Sequence, residues 1–213
     1  MKELNGSELA GFIKERQAKA VRGLRQAYSV QPKLAIVLTV EDPVIEIYMR
    51  LKTKYGKDTL IDVDIHRVKQ AEALATIKTL NEDPSVHGVI VQLPLEDPEQ
   101  TDEIVNAVAP EKDVDALGKK AIFDPATPTA ILWLLAGYGL DVKGKKVIIL
   151  GRGKLVGEPL EKMLQISGVD AKALGEKDDI DTAVAQADII ITATGQPGIL
   201  TSQMIPKKAV VVD

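Results

Sequence analysis

The chain has no cysteine, two histidines, and aromatic residues at only 3% of its 213 positions. Without cysteine there can be no disulfide and no thiolate zinc site. His66 and His87 lie far apart, in or beside strand-like runs, where a histidine is more often a packed polar group than a ligand. No metal site is therefore expected, although carboxylates alone could still hold Mg²⁺. A run of about 18 apolar residues, the length a membrane span needs, is also missing. The opening MKELNGSELAGF is interrupted by acids and polar groups, which does not fit a secretory signal, so a cytoplasmic protein is the expectation. Blocks of one charge are lacking too: the net charge is −4 and the basic residues are scattered among acids, which argues against a nucleic-acid partner.

What the sequence does have is alternation. Apolar, β-branched runs occur at 34–40, 59–65, 86–93, 145–150, 169–174, 187–194 and 207–213. Helical patterns fill 7–28, 43–55, 68–81, 100–108, 128–138, 155–167 and 179–186. Continuous apolar strands between helices predict an α/β fold with parallel strands covered on both faces. The turn-rich segment DALGKKAIFDPATP, 115–128, marks a boundary between two βα domains, 1–122 and 123–213, with a cleft between them. Thr127 and Pro128 read as an N-cap and first helical position.

In the second domain, VIILGRGKLVGEPL runs from a strand through Gly151, Gly153 and Gly157 into a helical pattern. Small residues there let the backbone approach a pyrophosphate, whose charge a helix N-terminus stabilises. The spacing is one residue longer than the common dinucleotide fingerprint, so the glycines alone also fit a tight βα turn. The strand order that follows, βαβαβ, is that of a Rossmann-like dinucleotide-binding half. Arg152 is either a solvated loop charge or a group that selects a cofactor 2′-phosphate. Glu176 closes the second strand where an acid holds the ribose of NAD, so the residues themselves leave the cofactor open. ATGQPG, 193–198, lies at the carboxyl edge, as a nicotinamide contact or a plain turn.

In the first domain, Asp42 and Pro43 start a helix and Gly56 is the expected stop. At about 100° per residue, Val44, Ile47, Tyr48, Leu51 and Tyr55 form its apolar, core-facing stripe, with Lys52 on the border. Taken alone, Lys52 reads as a snorkelling edge lysine. Gln92 ends an apolar strand before Leu93 and Pro94, pointing either into a cleft or into the core. Asp113 and Asp115 fall on one side if EKDVDAL is extended, though taken alone an exposed acidic loop is the stronger reading.

Five stretches together resemble the bifunctional methylenetetrahydrofolate dehydrogenases and cyclohydrolases: Tyr48-Met-Arg-Leu-Lys52, Val91-Gln92-Leu93-Pro94-Leu95, Lys112-Asp113-Val114-Asp115, Thr127-Pro128, and the glycine turn from Gly151 to Pro159. They occur in the family's order over nearly the whole chain. The resemblance implies that Lys52 is catalytic, that Gln92 tunes and positions it, that Asp115 holds the pterin ring, that Tyr48 stacks on the folate, and that Leu93 and Pro94 wall the pocket. It further implies NADP, with NAD as the other candidate, bound at Gly151, Arg152, Gly153 and Gly157. The implied chemistry is oxidation of 5,10-methylenetetrahydrofolate and hydrolysis of the methenyl product to 10-formyltetrahydrofolate. A homodimer in one-carbon metabolism and purine biosynthesis is the implied setting.

The sequence departs from the family at several points. Gly153 stands in the family's Gly-Arg-Ser turn, and Leu174-Gly175-Glu176-Lys177 stands where a His-Ser pair usually contacts the 2′-phosphate, so Glu176 would repel that phosphate if it points inward. Ala116, Ala126 and Ala130 replace a usual glycine, cysteine and glycine. In the family the strand KKAVVVD continues into a Pro-Val-Pro-Gly-Gly-Val-Gly-Pro segment, so a fragment or a reduced relative is expected. The alternative to the enzyme is accordingly a relative that binds dinucleotide or folate without full turnover. A third reading is an unrelated α/β dehydrogenase or interaction domain sharing only the glycine turn.

Overall fold

In the computed structural model, which describes residues 3–213, the chain divides into two units: Asn5–Asp124, and Pro125–Asp213 with residues 3–4. The first unit opens with α1 (Gly6–Tyr28), whose first turn is capped by Asn5, its side-chain oxygen accepting from the amides of Ser7 and Glu8. The strands β1 (Lys33–Leu38), β2 (Asp62–Arg67) and β3 (Gly88–Val91) follow, linked by α2 (Pro43–Thr59) and α3 (Gln70–Glu82). The strands form a parallel sheet in the order β2-β1-β3.

The central strand shows why the sequence had to be continuously apolar. Ala35 and Val37 of β1 pack with Ala73, Ile77 and Leu80 of α3 on one face. Ile36 and Leu38 pack with Ile45 and Met49 of α2 on the other. Each fully buried aliphatic side chain contributes about 1.5–3 kcal/mol, and with both faces covered every buried position of the strand, Ala35 to Leu38, is apolar. A short helix, α4 (Thr101–Asn106), adds Ile104 and Val105 to the first of these cores.

Helix α2 corrects the sequence reading in two ways. Asp42 caps it as expected, accepting from the amides of Val44 at 2.7 Å and Ile45 at 3.3 Å, with Pro43 in the first turn. The predicted core stripe, however, is exposed: Val44 is 57%, Ile47 47%, Tyr48 53% and Leu51 56% accessible. The buried face carries Ile45, Met49, Gly56 and Thr59, with Lys52 half-buried among them. These positions are i, i+4, i+7, i+11 and i+14, so Lys52 lies on the inward line rather than at its border. Apolar periodicity missed this face because a lysine, a glycine and a threonine make up more than half of it. The outer face meets α1 at Tyr55, whose hydroxyl donates to Gln17 at 2.6 Å, and at the Lys14–Asp58 ion pair.

Nor is Gly56 the stop. The helix continues to Thr59 and ends at Leu60, which takes the left-handed conformation at φ 64°, so the strand expected from 59 begins only at Asp62. Gly56 is glycine for another reason: a Cβ there would lie 2.4 Å from Val63 Cγ2 and 2.8 Å from the Ile61 carbonyl oxygen. The backbone of α2 thus rests directly on β2.

The second unit contains α5 (Ala126–Gly137), β4 (Lys146–Leu150), α6 (Gly157–Ile166), β5 (Asp170–Leu174), α7 (Ile180–Ala185), β6 (Ile189–Thr192) and β7 (Val210–Val212). Its sheet is parallel throughout, in the order β5-β4-β6-β7. Val147 and Ile149 of β4 face Leu160 and Leu164 of α6, while Ile148 and Leu150 face Val184 of α7. Helix α5 starts two residues earlier than the Thr127 cap predicts, behind Pro125 and without a side-chain cap bond. Pro128 is still in the first turn, where a missing amide hydrogen costs nothing. The strands and helices expected from the sequence are otherwise present with shifted ends, and the fold is α/β. No helix among the described residues is long and apolar enough to cross a membrane.

The Gly56 contact yields a stability prediction. Replacing Gly56 with Ala gains about 1 kcal/mol of helix propensity but forces the methyl into Val63 and a backbone carbonyl. A net loss of about 1–2 kcal/mol is expected from the overpacking, read as a lower urea midpoint; a raised midpoint would refute the contact.

Candidate active site and dinucleotide loop

In a sheet of order β2-β1-β3, the first crossover leads from β1 to β2 and the second passes back over β1 to β3, so the crevice opens at the carboxyl ends of β1 and β3. Gln92 stands there. Its amide nitrogen donates to the Val37 carbonyl at 2.9 Å, extending the ladder one residue past β3. Its side-chain nitrogen donates to the Leu93 carbonyl at 2.8 Å, which leaves Oε1 to accept from Lys52 Nζ at 2.9 Å. An ammonium cannot accept and a carbonyl cannot donate, so these two bonds fix the orientation of the amide.

Burial lowers the Lys52 pKa by disfavouring the charged form, while the nearby Asp115 carboxylate acts in the opposite sense. Asp115 is shifted upward, again chiefly by burial, with Lys52 opposing and Asp113 adding to the rise. Lys52, Gln92 and Asp115 are thus brought together. Tyr48 sits one turn before Lys52 on α2 with half its surface exposed. Leu93 packs partly against the core, and Pro94 follows it through a cis peptide bond, exposed at the sheet's carboxyl edge.

Neither the extended Asp113–Asp115 segment nor the exposed acidic loop weighed from the sequence forms. Val89 bridges to Asp113, and the chain then turns through Ala116 at φ 56°. Asp113 is buried and accepts from the amides of Gly118 at 2.8 Å and Leu117 at 3.4 Å, so it holds the turn that presents Asp115. The sequence reading also missed the task of Lys112. Its ammonium donates to the carbonyls of Leu80, Asn81 and Asp83 at 2.7–2.9 Å, closing the carboxyl end of α3. The available signal was an absence, since the last turn of α3 has no basic residue of its own.

In the second unit the strand order reverses between β4 and β6, and the glycine turn begins at this point. Gly151 has φ 112°, and a Cβ on it would lie 2.6 Å from the Ala193 carbonyl oxygen; a Cβ on Gly157 would lie 1.9 Å from that of Gly151. The start of α6 therefore sits on the loop backbone, and no side chain caps it. Gly153 has open space where a side chain would be. This cradle fits a dinucleotide pyrophosphate, held by backbone amides with only small residues in the way. The ATGQPG loop follows β6 and borders a cavity of about 520 Å³ with Leu200 and Asp213.

Arg152 is anchored at the end of β5: its Nε donates to the Ala173 carbonyl at 2.8 Å, and its guanidinium lies 3.8 Å from Asp178. Asp178 also accepts from the Gly175 amide at 2.7 Å, whereas Glu176, the acid singled out from sequence, is exposed. His87 accepts from the Lys33 amide and His66 lies 3.3 Å from Asp64. No group of three or more potential ligands among the described residues is placed to hold a metal ion.

Comparison with known proteins agrees with both halves. Residues 4–115 match the catalytic domain of tetrahydrofolate dehydrogenase/cyclohydrolase, and residues 125–213 match its NAD(P)-binding domain. The bifunctional protein FolD of Moorella thermoacetica is 36% identical over 225 residues, spanning 99% of this chain and 80% of that protein. Among solved structures, the bifunctional FolD of Campylobacter jejuni superposes with a TM-score of 0.94 at 32% identity, over 99% of this chain and 79% of its own. The Trypanosoma brucei enzyme, complexed with NADP and an inhibitor, superposes with a TM-score of 0.91 at 26% identity, over 97% of this chain and 76% of its own. With both of its domains matched in order and more than a third of its residues shared with one relative along its length, the chain belongs to the tetrahydrofolate dehydrogenase/cyclohydrolase family.

Proposed function

We propose that this protein oxidises 5,10-methylenetetrahydrofolate with NADP and hydrolyses the resulting methenyl compound to 10-formyltetrahydrofolate. The observation that carries the reading is the half-buried Lys52 with its ammonium nitrogen 2.9 Å from Gln92 Oε1 and Asp115 close enough to shift it. The Gly151–Gly157 cradle would hold the dinucleotide, which when bound supplies the hydride acceptor. Tyr48 offers an exposed ring beside Lys52 for stacking on the folate, and Leu93 and Pro94 wall the same edge. Its support in the family makes a cytoplasmic homodimer serving one-carbon metabolism and purine biosynthesis our reading of the setting, with no nucleic-acid partner.

For the hydrolytic step, Lys52 acts as general base. Desolvation favours its neutral amine, which takes a proton from the water attacking the methenyl carbon. Gln92 holds Nζ in place without adding charge, since it receives a Lys52 hydrogen and its own amide is fixed on Leu93. Asp115 has the opposite task. Burial raises its pKa, which readies the carboxyl group to share hydrogens with the polar edge of a pterin ring.

Three outcomes are expected. Incubation with 5,10-methylenetetrahydrofolate and NADP should raise absorbance from the reduced nicotinamide; a folded protein giving no signal with either NADP or NAD would refute the dehydrogenase reading. Lys52→Met should lower methenyl hydrolysis by at least about 10²-fold, the usual contribution of a general base, with an unchanged circular dichroism spectrum; unaltered hydrolysis would return Lys52 to a structural role. The pH profile provides the third. Neutral Lys52 is the active form, so the rate rises with pH through its pKa, and burial places that rise below the ordinary lysine range. The Asp115 carboxylate favours charged Lys52, so Asp115→Asn should move the rise to still lower pH; a move to higher pH would contradict the coupling.

A further inference from the structure

The acid that faces Arg152 is not the one expected from the sequence. Glu176 points to solvent, while Asp178 is half-buried and makes two contacts at the end of β5: it accepts the Gly175 amide at 2.7 Å and pairs with the Arg152 guanidinium at 3.8 Å. Arg152 is held from the other side by its Nε bond to the Ala173 carbonyl at 2.8 Å, and its stem runs close to Gly175, whose Cβ would come within 4.0 Å of Arg152 Cδ. Resting on the reading that this unit binds a dinucleotide, the geometry points to Asp178 as the residue that sets how strongly the protein distinguishes NADP from NAD. The end of the second strand of such a unit is where the adenosine ribose lies. A guanidinium there attracts a 2′-phosphate. A carboxylate already paired with that guanidinium cancels much of the attraction and repels the incoming dianion, while a 2′-hydroxyl meets no such opposition. Asp178 thus acts through Arg152, as a positioning residue that keeps NAD competitive with NADP.

The test is a ratio. In Asp178→Asn the side-chain oxygen can still accept the Gly175 amide, so the turn is retained while the charge is lost. The kcat/KM for NADP divided by that for NAD should rise at least about fivefold, the order expected for one unit charge acting over about 4 Å in a water-like dielectric. An unchanged ratio overturns the inference, as does a ratio that moves in Glu176→Gln but not in Asp178→Asn. Because turnover depends on the folate site, calorimetry with adenosine 2′,5′-bisphosphate and with AMP reads the same preference without it. If wild type lacks turnover yet Asp178→Asn shifts the affinity ratio toward the bisphosphate, the enzymatic reading fails and the role of Asp178 stands. If neither nucleotide binds either protein, the role of Asp178 falls.

Discussion

Parallel strands can be joined only by a crossover, and a right-handed crossover must pass over one face of the sheet. That constraint organises both halves of the chain. Each sheet places its first strand in the interior, with the next strand added on one side of it and the following one on the other, as the orders β2-β1-β3 and β5-β4-β6-β7 record. Where the winding changes direction, the connecting segments part and the carboxyl ends of two neighbouring strands are left uncovered. Gln92, which follows β3, lies at that point in one sheet, and Gly151, which follows β4, lies at it in the other, so a polar side chain finishes one switch point and a bare backbone the other. The chemistry differs because one edge is finished with side chains and the other with amides.

Around Lys52 two electrostatic effects compete. Removal from water penalises the charged amine, and the neighbouring Asp115 carboxylate rewards it; burial is the larger effect for both groups. An exposed pair of this kind would be worth little, and a fully buried one would lock itself as an ion pair. Half-burial leaves both groups able to change protonation. The surrounding structure keeps the arrangement from collapsing: Asp113 accepts from the amides of the following turn, and the Lys112 ammonium donates to carbonyls at the end of α3. Two of the four residues of the Lys112–Asp115 stretch thus serve the backbone, and Asp115 is the one left to face the site.

The parts of this structure legible in the sequence are those where apolar content and position coincide. Strands buried on both faces spell out as unbroken runs, and Asp42 with Pro43 announces a helix start through its own hydrogen bonds. The inward face of α2 was hidden, because Lys52, Gly56 and Thr59 face inward for reasons other than hydrophobicity. The Arg152–Asp178 pair was hidden because residues 26 positions apart leave no periodic trace when they meet across a strand end. Likewise the alternation that put Asp113 beside Asp115 assumed an extended backbone, whereas the chain turns at Val114 and Asp115, with the Ala116 amide donating back to the Asp113 carbonyl. The membership of Lys52, Gln92 and Asp115 in one site came from resemblance to a family; their spacing alone could not have supplied it.

A glycine one turn beyond Lys52 also sets an angular tolerance. Helix α2 cannot roll about its axis without driving its backbone at Gly56 into Val63 or lifting away from it. The amine of an extended lysine lies roughly 8 Å from a helix axis, so a roll of about 10° would sweep it sideways by about 1.4 Å. Such a shift strains or, directed along the bond, breaks the 2.9 Å hydrogen bond to Gln92, and displacements near 1 Å can already cost a catalytic group about 10²-fold. A residue with no side chain therefore acts as the bearing against which the reactive one is aimed, and any scaffold meant to receive this lysine must reproduce that bare contact first.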